Sequence, residues 1–134
     1  MQKSFRKNEK KVGILGGTFD PPHIGHLHIS KTAIKKLKLN KVLWLITKKN
    51  PLKQKPYLSI NLRIQLSKEI IKSQKKISIK YFDNRVKSKN TFQILKYLKK
   101  NNKESKLFFL IGADNLINFH KWYNWKKIPK LAKI

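Results

Sequence analysis

Residues 12–26 read Val12-Gly13-Ile14-Leu15-Gly16-Gly17-Thr18-Phe19-Asp20-Pro21-Pro22-His23-Ile24-Gly25-His26. A short apolar run enters a glycine pair, two prolines stiffen the loop after it, and an amphipathic segment follows at once. Strand, tight loop and helix in that order present backbone N–H groups and a helix N-terminus to an anion. Gly16 and Gly17 are expected to allow positive φ and a close approach of backbone to ligand. Pro22 has no N–H to compete for partners. His23 and His26 stand three residues apart. A helix that starts near Pro22 puts both on one face of its first turn, aimed at the anion.

Outward from this stretch, apolar runs alternate with segments of helical periodicity. Strands are expected at 11–15, 42–47, 77–82 and 106–111. Helices are expected at 24–39, with Ile24, Leu27, Ile34 and Leu37 inward, and at 59–75, with Ser59 as N-cap and Leu62, Leu66 and Ile70 inward. A third is expected at 91–100 with Ile94, Leu95 and Leu98 inward, and short helical pieces at 114–119 and 124–128. Trp44 and Trp125 read as core aromatics. The fold class is α/β, a Rossmann-like parallel sheet with helices on both faces. In such sheets ligands sit beyond the carboxyl ends of the strands, where every chemically interesting loop of this chain falls. Residues 1–10 are expected to be a disordered basic lead-in and residues 11–134 a single domain.

The bulk numbers narrow the class. The chain has 134 residues, no cysteine and a formal net charge of +27. Disulfide scaffolds and thiolate chemistry are excluded. No apolar run approaches the roughly 18 residues of a membrane span, and the one after the basic N-terminus ends in the Gly-Gly loop, unlike a signal peptide. A cytoplasmic protein with no membrane partner is expected. Of the 33 basic residues only Arg6, Arg63 and Arg85 are arginine. Base readers and phosphate clamps favour arginine for its planar fork, so scattered lysines read as compositional drift with weak, salt-dependent attraction to polyanions. No specific nucleic-acid partner is expected. A zinc site would need three or four ligands, and four His with six acidic residues make a poor supply.

The glycine–histidine stretch resembles the G-G-[ST]-F-D-P-P-H-x-G-H signature of the HxGH nucleotidylyltransferases, and the downstream text looks most like nicotinate-nucleotide adenylyltransferases. The resemblance implies adenylyl transfer from ATP to nicotinate mononucleotide, giving deamido-NAD and pyrophosphate. It implies that His23 and His26 bind and stabilise the ATP phosphates, that Gly16, Gly17, Thr18 and Phe19 line the nucleotide, and that Mg²⁺ arrives with the ATP. Asp20 reads as a loop-ordering acceptor more than a metal ligand. His28 reads as a solvated or packing residue, and His120 as a surface or pocket-wall residue.

Three further loops carry substrate candidates. Asn50-Pro51-Leu52-Lys53 resembles the family's Asn-Pro-x-Lys segment, which makes Lys53 a charge-neutralising candidate. Asn90-Thr91-Phe92-Gln93-Ile94-Leu95 matches the family's Tyr-Thr-x-Asp-Thr-Leu only at Thr91 and Leu95, so Thr91 is a nicotinate contact or simply a helix cap. Gly112-Ala113-Asp114 resembles the Gly-x-Asp loop, with Asp114 facing ribose hydroxyls, and Trp122 is a candidate to stack on a pyridine ring. The family pattern continues with another strand and an Ile-Ser-Ser-Thr-x-[IL]-Arg signature opening a helix. That text does not follow Ile134, so the domain is expected to be incomplete at its C-terminus and the chain alone a poor catalyst. Two other classes stay open: a different HxGH adenylyltransferase, acting on nicotinamide mononucleotide or pantetheine phosphate, and a non-catalytic basic fragment that binds polyanions.

Overall fold

A computed structural model describes residues 10–47, 57–81, 91–101, 104–111, 119–121 and 125–131. The frame is β1 (Lys11–Gly17), α1 (Ile24–Leu37), β2 (Lys41–Ile46), α2 (Ile60–Ile71), β3 (Ile77–Tyr81), α3 (Thr91–Asn101) and β4 (Lys106–Leu110). Two 3₁₀ turns, Phe119–Lys121 and Trp125–Lys127, and the short α4 (Ile128–Leu131) follow. The strands of the described residues form one parallel sheet in the order β3-β2-β1-β4. The first strand is therefore central, and the order reverses beside it. The crevice at that switch point opens beyond Gly17, which pairs with Ile46 at the carboxyl end of β2.

Strand alternation builds two cores. Val12, Ile14, Leu45, Leu107 and Phe109 face Ile94, Leu95 and Leu98 of α3, with Phe119 and Ile128 closing that layer. Leu15, Val42, Trp44, Ile46 and Ile77 face the other way, against α1 and α2. Both faces of the sheet are thus covered, as its near-continuous apolar strands require.

Element order and layers agree with the expectation from sequence, and several details are corrected. β1 runs two residues further than 15 and takes in Gly16 and Gly17, neither of which has positive φ. The left-handed residue is Phe19, with φ 53°. α1 ends at Leu37 because Lys38 turns left-handed, its N–H reaching the Ile34 carbonyl. Ile24 is 77% exposed and Leu37 is exposed too, so neither belongs to the inner stripe of α1. α2 is capped by Ser59 as expected, whose Oγ accepts from the Leu62 amide at 3.2 Å. Its most buried residues are Arg63, Ser67 and Ile71, with Ile60, Ile64 and Ile70 packed against the same core as expected for Ile70, whereas Leu62 is exposed. Trp44 is fully buried, and Trp125 packs edge-on to Phe119.

Trp44 carries the one polar handle of its core: its Nε1–H donates to Ser30 Oγ at 2.8 Å, and that hydroxyl donates to the His26 carbonyl at 2.8 Å. Ser30→Ala would leave a buried indole N–H without its acceptor. The expected cost is about 1–3 kcal/mol in chemical unfolding, with Trp44 fluorescence as the reporter.

Candidate active site

The first turn of α1 is built by its two histidines. His23 is the N-cap, and its Nδ1 accepts the Gly25 amide at 3.0 Å. His26, at the third helical position, turns back so that its Nδ1 accepts the His23 amide at 3.1 Å. This is a reciprocal capping box made from two imidazoles in place of the usual hydroxyl and carboxyl. Its consequence is chemical. Each ring uses Nδ1 as an acceptor, so in the neutral form each proton sits on Nε2, and each ring has an N–H left to donate.

Gly25 is the residue that allows this. A Cβ there would stand 2.7 Å from His23 Cε1 and 2.8 Å from its Nδ1. The bare backbone is what lets the ring lie over the turn.

Behind the histidines lies a stack of rings. His23 and His26 have centroids 4.0 Å apart, His26 and Phe19 4.4 Å, and Phe19 and Trp44 5.0 Å. Phe19 is buried, so its side chain forms the platform under His26 and what it offers a ligand is backbone. Burial, and next the charge on His23, lower the His26 pKa from 6.5 to about 4. His26 is therefore a neutral donor at physiological pH.

The loop between β1 and α1 is tied to the start of α2. Asp20 accepts the Tyr57 amide at 2.6 Å and the Leu58 amide at 2.8 Å, one on each carboxylate oxygen. Arg63, only 2% exposed, donates Nη1 to the carbonyls of Thr18 and Thr47, both at 2.8 Å, and Nε to the carbonyl of Leu58 at 3.1 Å. Burial lowers the Arg63 pKa from its ordinary value, partly offset first by Asp20 and then by Tyr81. Because three carbonyls from three separate segments converge on it, its charge is met by dipoles that also belong to the loops at the strand ends.

The sequence candidates divide cleanly. Gly16, Gly17, Thr18, Phe19, His23 and His26 come together at the carboxyl end of β1, beside the N-terminus of α1. Lys53, Asp114 and Trp122 fall outside the described residues; Thr91 opens α3, and its side chain falls outside them as well. His28 and His120 are exposed. Arg63 was missed by sequence reasoning. Its signal was available: Ile60, Arg63, Ile64, Ser67 and Ile71 recur at helical spacing, so an arginine sits on the inner stripe.

The donors present do not make a metal cage. Among the described residues no group of three His, Cys, Asp or Glu side chains converges, and both oxygens of Asp20 are taken by amides. The described residues therefore offer no donor set for a resident Mg²⁺. Among the described residues no helix is long and apolar enough to cross a membrane.

Residues 14–134 match the cytidylyltransferase-like family. The chain is 46% identical over 133 residues to a Pelagibacter ubique protein named "probable nicotinate-nucleotide adenylyltransferase", covering 99% of this chain and 73% of that one. A Ruegeria protein of the same name is 42% identical over 123 residues, covering 92% of this chain and 65% of that one. The chain thus spans about two-thirds to three-quarters of the length of these two relatives. The fold matches that of the Plasmodium falciparum nicotinic acid mononucleotide adenylyltransferase complexed with NaAD, at a TM-score of 0.77 and 20% identity, over 90% of this chain and 60% of that one.

Proposed function

Because this chain belongs to the cytidylyltransferase-like family, in its nicotinate-nucleotide adenylyltransferase branch, we propose that the site takes the triphosphate of ATP on the two imidazole Nε2–H groups and the backbone of residues 16–19. The observation that carries this reading is the reciprocal capping box, which leaves His23 and His26 one outward donor each at the mouth of a parallel sheet.

The reaction that suits such a site is adenylyl transfer. The phosphate of nicotinate mononucleotide attacks the α-phosphorus of ATP in line; a P–O bond forms to the nucleophile and the bond to pyrophosphate breaks, giving deamido-NAD. The nucleophile is already an anion at neutral pH, so no general base is needed. Catalysis is then positioning and stabilisation of the charge gathering on the transferring and leaving phosphates. Neutral imidazole N–H donors and loop amides suit that task. Each such donor is typically worth about 2.7–4 kcal/mol of barrier. Gly16, Gly17 and Thr18 line the nucleotide, and Phe19 contributes through its amide and as the floor beneath His26. Lys53, Thr91, Asp114 and Trp122 are the proposed substrate contacts, for phosphate, nicotinate carboxylate, ribose and pyridine ring in turn. Mg²⁺ enters as part of the nucleotide substrate, and none of these residues is asked to hold it. Location in the cytoplasm, where ATP and mononucleotides are supplied, belongs to the same reading.

The test is pyrophosphate release from this chain with ATP and either nicotinate or nicotinamide mononucleotide, run beside direct ATP binding by calorimetry. Saturable ATP binding and preference for the acid substrate are expected. An absence of ATP binding that is equally absent at low salt would remove the reading, and preference for the amide would redirect the substrate assignment.

A further inference from the structure

We propose that Arg63 is a positioning residue of this site: by taking the carbonyls of Thr18 and Thr47 it ends the β1–β2 ladder one rung early and turns the Phe19 amide toward the bound triphosphate. The inference rests on the reading above and adds to it a residue that lies below the site.

Gly17 pairs with Ile46, and the Thr47 amide donates to the Gly17 carbonyl at 2.9 Å. In a parallel ladder the next rung would run from the Phe19 amide to the Thr47 carbonyl. That rung is not made. The Thr47 carbonyl accepts from Arg63 Nη1 at 2.8 Å instead, and the same nitrogen takes the Thr18 carbonyl at 2.8 Å. Phe19 leaves the strand with φ 53°, and its amide takes no acceptor among the described residues.

The peptide plane then fixes a direction. Thr18 C=O and Phe19 N–H belong to one planar trans unit and point opposite ways. With the carbonyl held on the buried guanidinium, the N–H faces away from it. Successive amides around a left-handed residue form a concavity that favours anions. Arg63 Nε also holds the Leu58 carbonyl, and Asp20 receives the Leu58 amide, so both sides of one short segment are tied to the loop that carries Phe19. Only a planar fork can reach three carbonyls in this way; a lysine offers one nitrogen.

The experiment compares the full chain with Arg63→Lys and with Ile71→Ala, a substitution on the same helix but at its far end. ATP affinity is measured by calorimetry, thermal midpoints by circular dichroism, and amide shifts by ¹⁵N-resolved NMR. Arg63→Lys is expected to weaken ATP binding at least 10-fold and to lose the ATP-induced shift of the Phe19 amide, while the imidazole signals of His23 and His26 still respond. Ile71→Ala is expected to lower the midpoint while keeping affinity within 2-fold. In the wild-type chain the Phe19 amide should be among those moved most by ATP, a readout that stands even if Arg63→Lys does not fold. Unchanged affinity in Arg63→Lys, equal loss in Ile71→Ala, or a Phe19 amide indifferent to saturating ATP would overturn the proposal. Failure of the wild type to bind ATP would instead overturn the functional reading on which it rests.

Discussion

Gly25→Ala should lose ATP-dependent function by about 10²-fold or more while folding almost normally. By propensity alone, alanine favours the helix by about 1 kcal/mol over glycine. Here that gain meets a clash. The new methyl would lie 2.7 Å from His23 Cε1 and 2.8 Å from Nδ1, distances that force the ring to move. The ring cannot turn aside and keep the Gly25 amide on its Nδ1, so the N-cap is lost as well. A lost cap costs about 0.5–2 kcal/mol, which nearly cancels the propensity gain. The two effects separate in measurement. Thermal unfolding should shift by only a few degrees, whereas pyrophosphate release or ATP affinity should collapse. An alanine variant with wild-type affinity would mean that the His23 ring position is irrelevant to the anion, and the cradle assignment would fall with it. The glycine between the two histidines is thus explained by the space a ring needs, with no appeal to unusual backbone angles.

The frame was legible because it is written in long, redundant signals. The runs at Val12–Leu15, Val42–Ile46 and Lys106–Leu110 are too apolar for one-sided strands, and helical spacing between them leaves a parallel sheet as the economical solution. The inner face of α2 was not legible by the same rule. Ile70 does pack against the core, but Leu62 is exposed and the centre of the stripe lies elsewhere, because an arginine and a serine occupy positions that turn out to be buried. Burial of Arg63 follows from carbonyls supplied by Thr18 and Thr47, which lie 45 and 16 residues away, and no local pattern contains that information. The turn of the glycine loop was misplaced for a related reason. Glycine is the cheapest residue for positive φ, yet the left-handed residue is Phe19. A left-handed phenylalanine costs about 1–2 kcal/mol, and burial of its ring between His26 and Trp44 offsets that. At the site itself, the histidine spacing predicted a shared face, but the reciprocal cap that fixes both tautomers needed coordinates.

His26→Asn should separate the two tasks of that residue. As the third residue of the helix, His26 accepts the His23 amide through Nδ1, packs on Phe19, and offers Nε2–H outward. An asparagine carbonyl oxygen sits close to where Nδ1 was, so it can keep the accepted bond while deleting the outer donor. His26→Ala deletes both. Asparagine should therefore cost about 1 kcal/mol of stability or less and still lose about 10²–10³ in turnover, as expected when one transition-state donor is removed. Alanine should lose both. Adding His23→Ala to His26→Ala should abolish measurable ATP binding, while attraction to a polyanion such as RNA should barely change, because it draws on a net charge of +27 spread over the chain rather than on two rings. The pH dependence gives an independent check. The unfolded chain protonates His26 near 6.5, the folded chain only near about 4. Between those values the unfolded state holds the extra proton, so stability is fully present above that window and falls as pH is lowered through it. In His26→Asn this contribution should vanish, leaving a flatter stability profile across the same interval by urea titration. A wild-type profile that is already flat there would show that His26 is an exposed, ordinary imidazole. Acidification through pH 6.5 would then turn a neutral donor into an imidazolium, and ATP affinity should rise across that step.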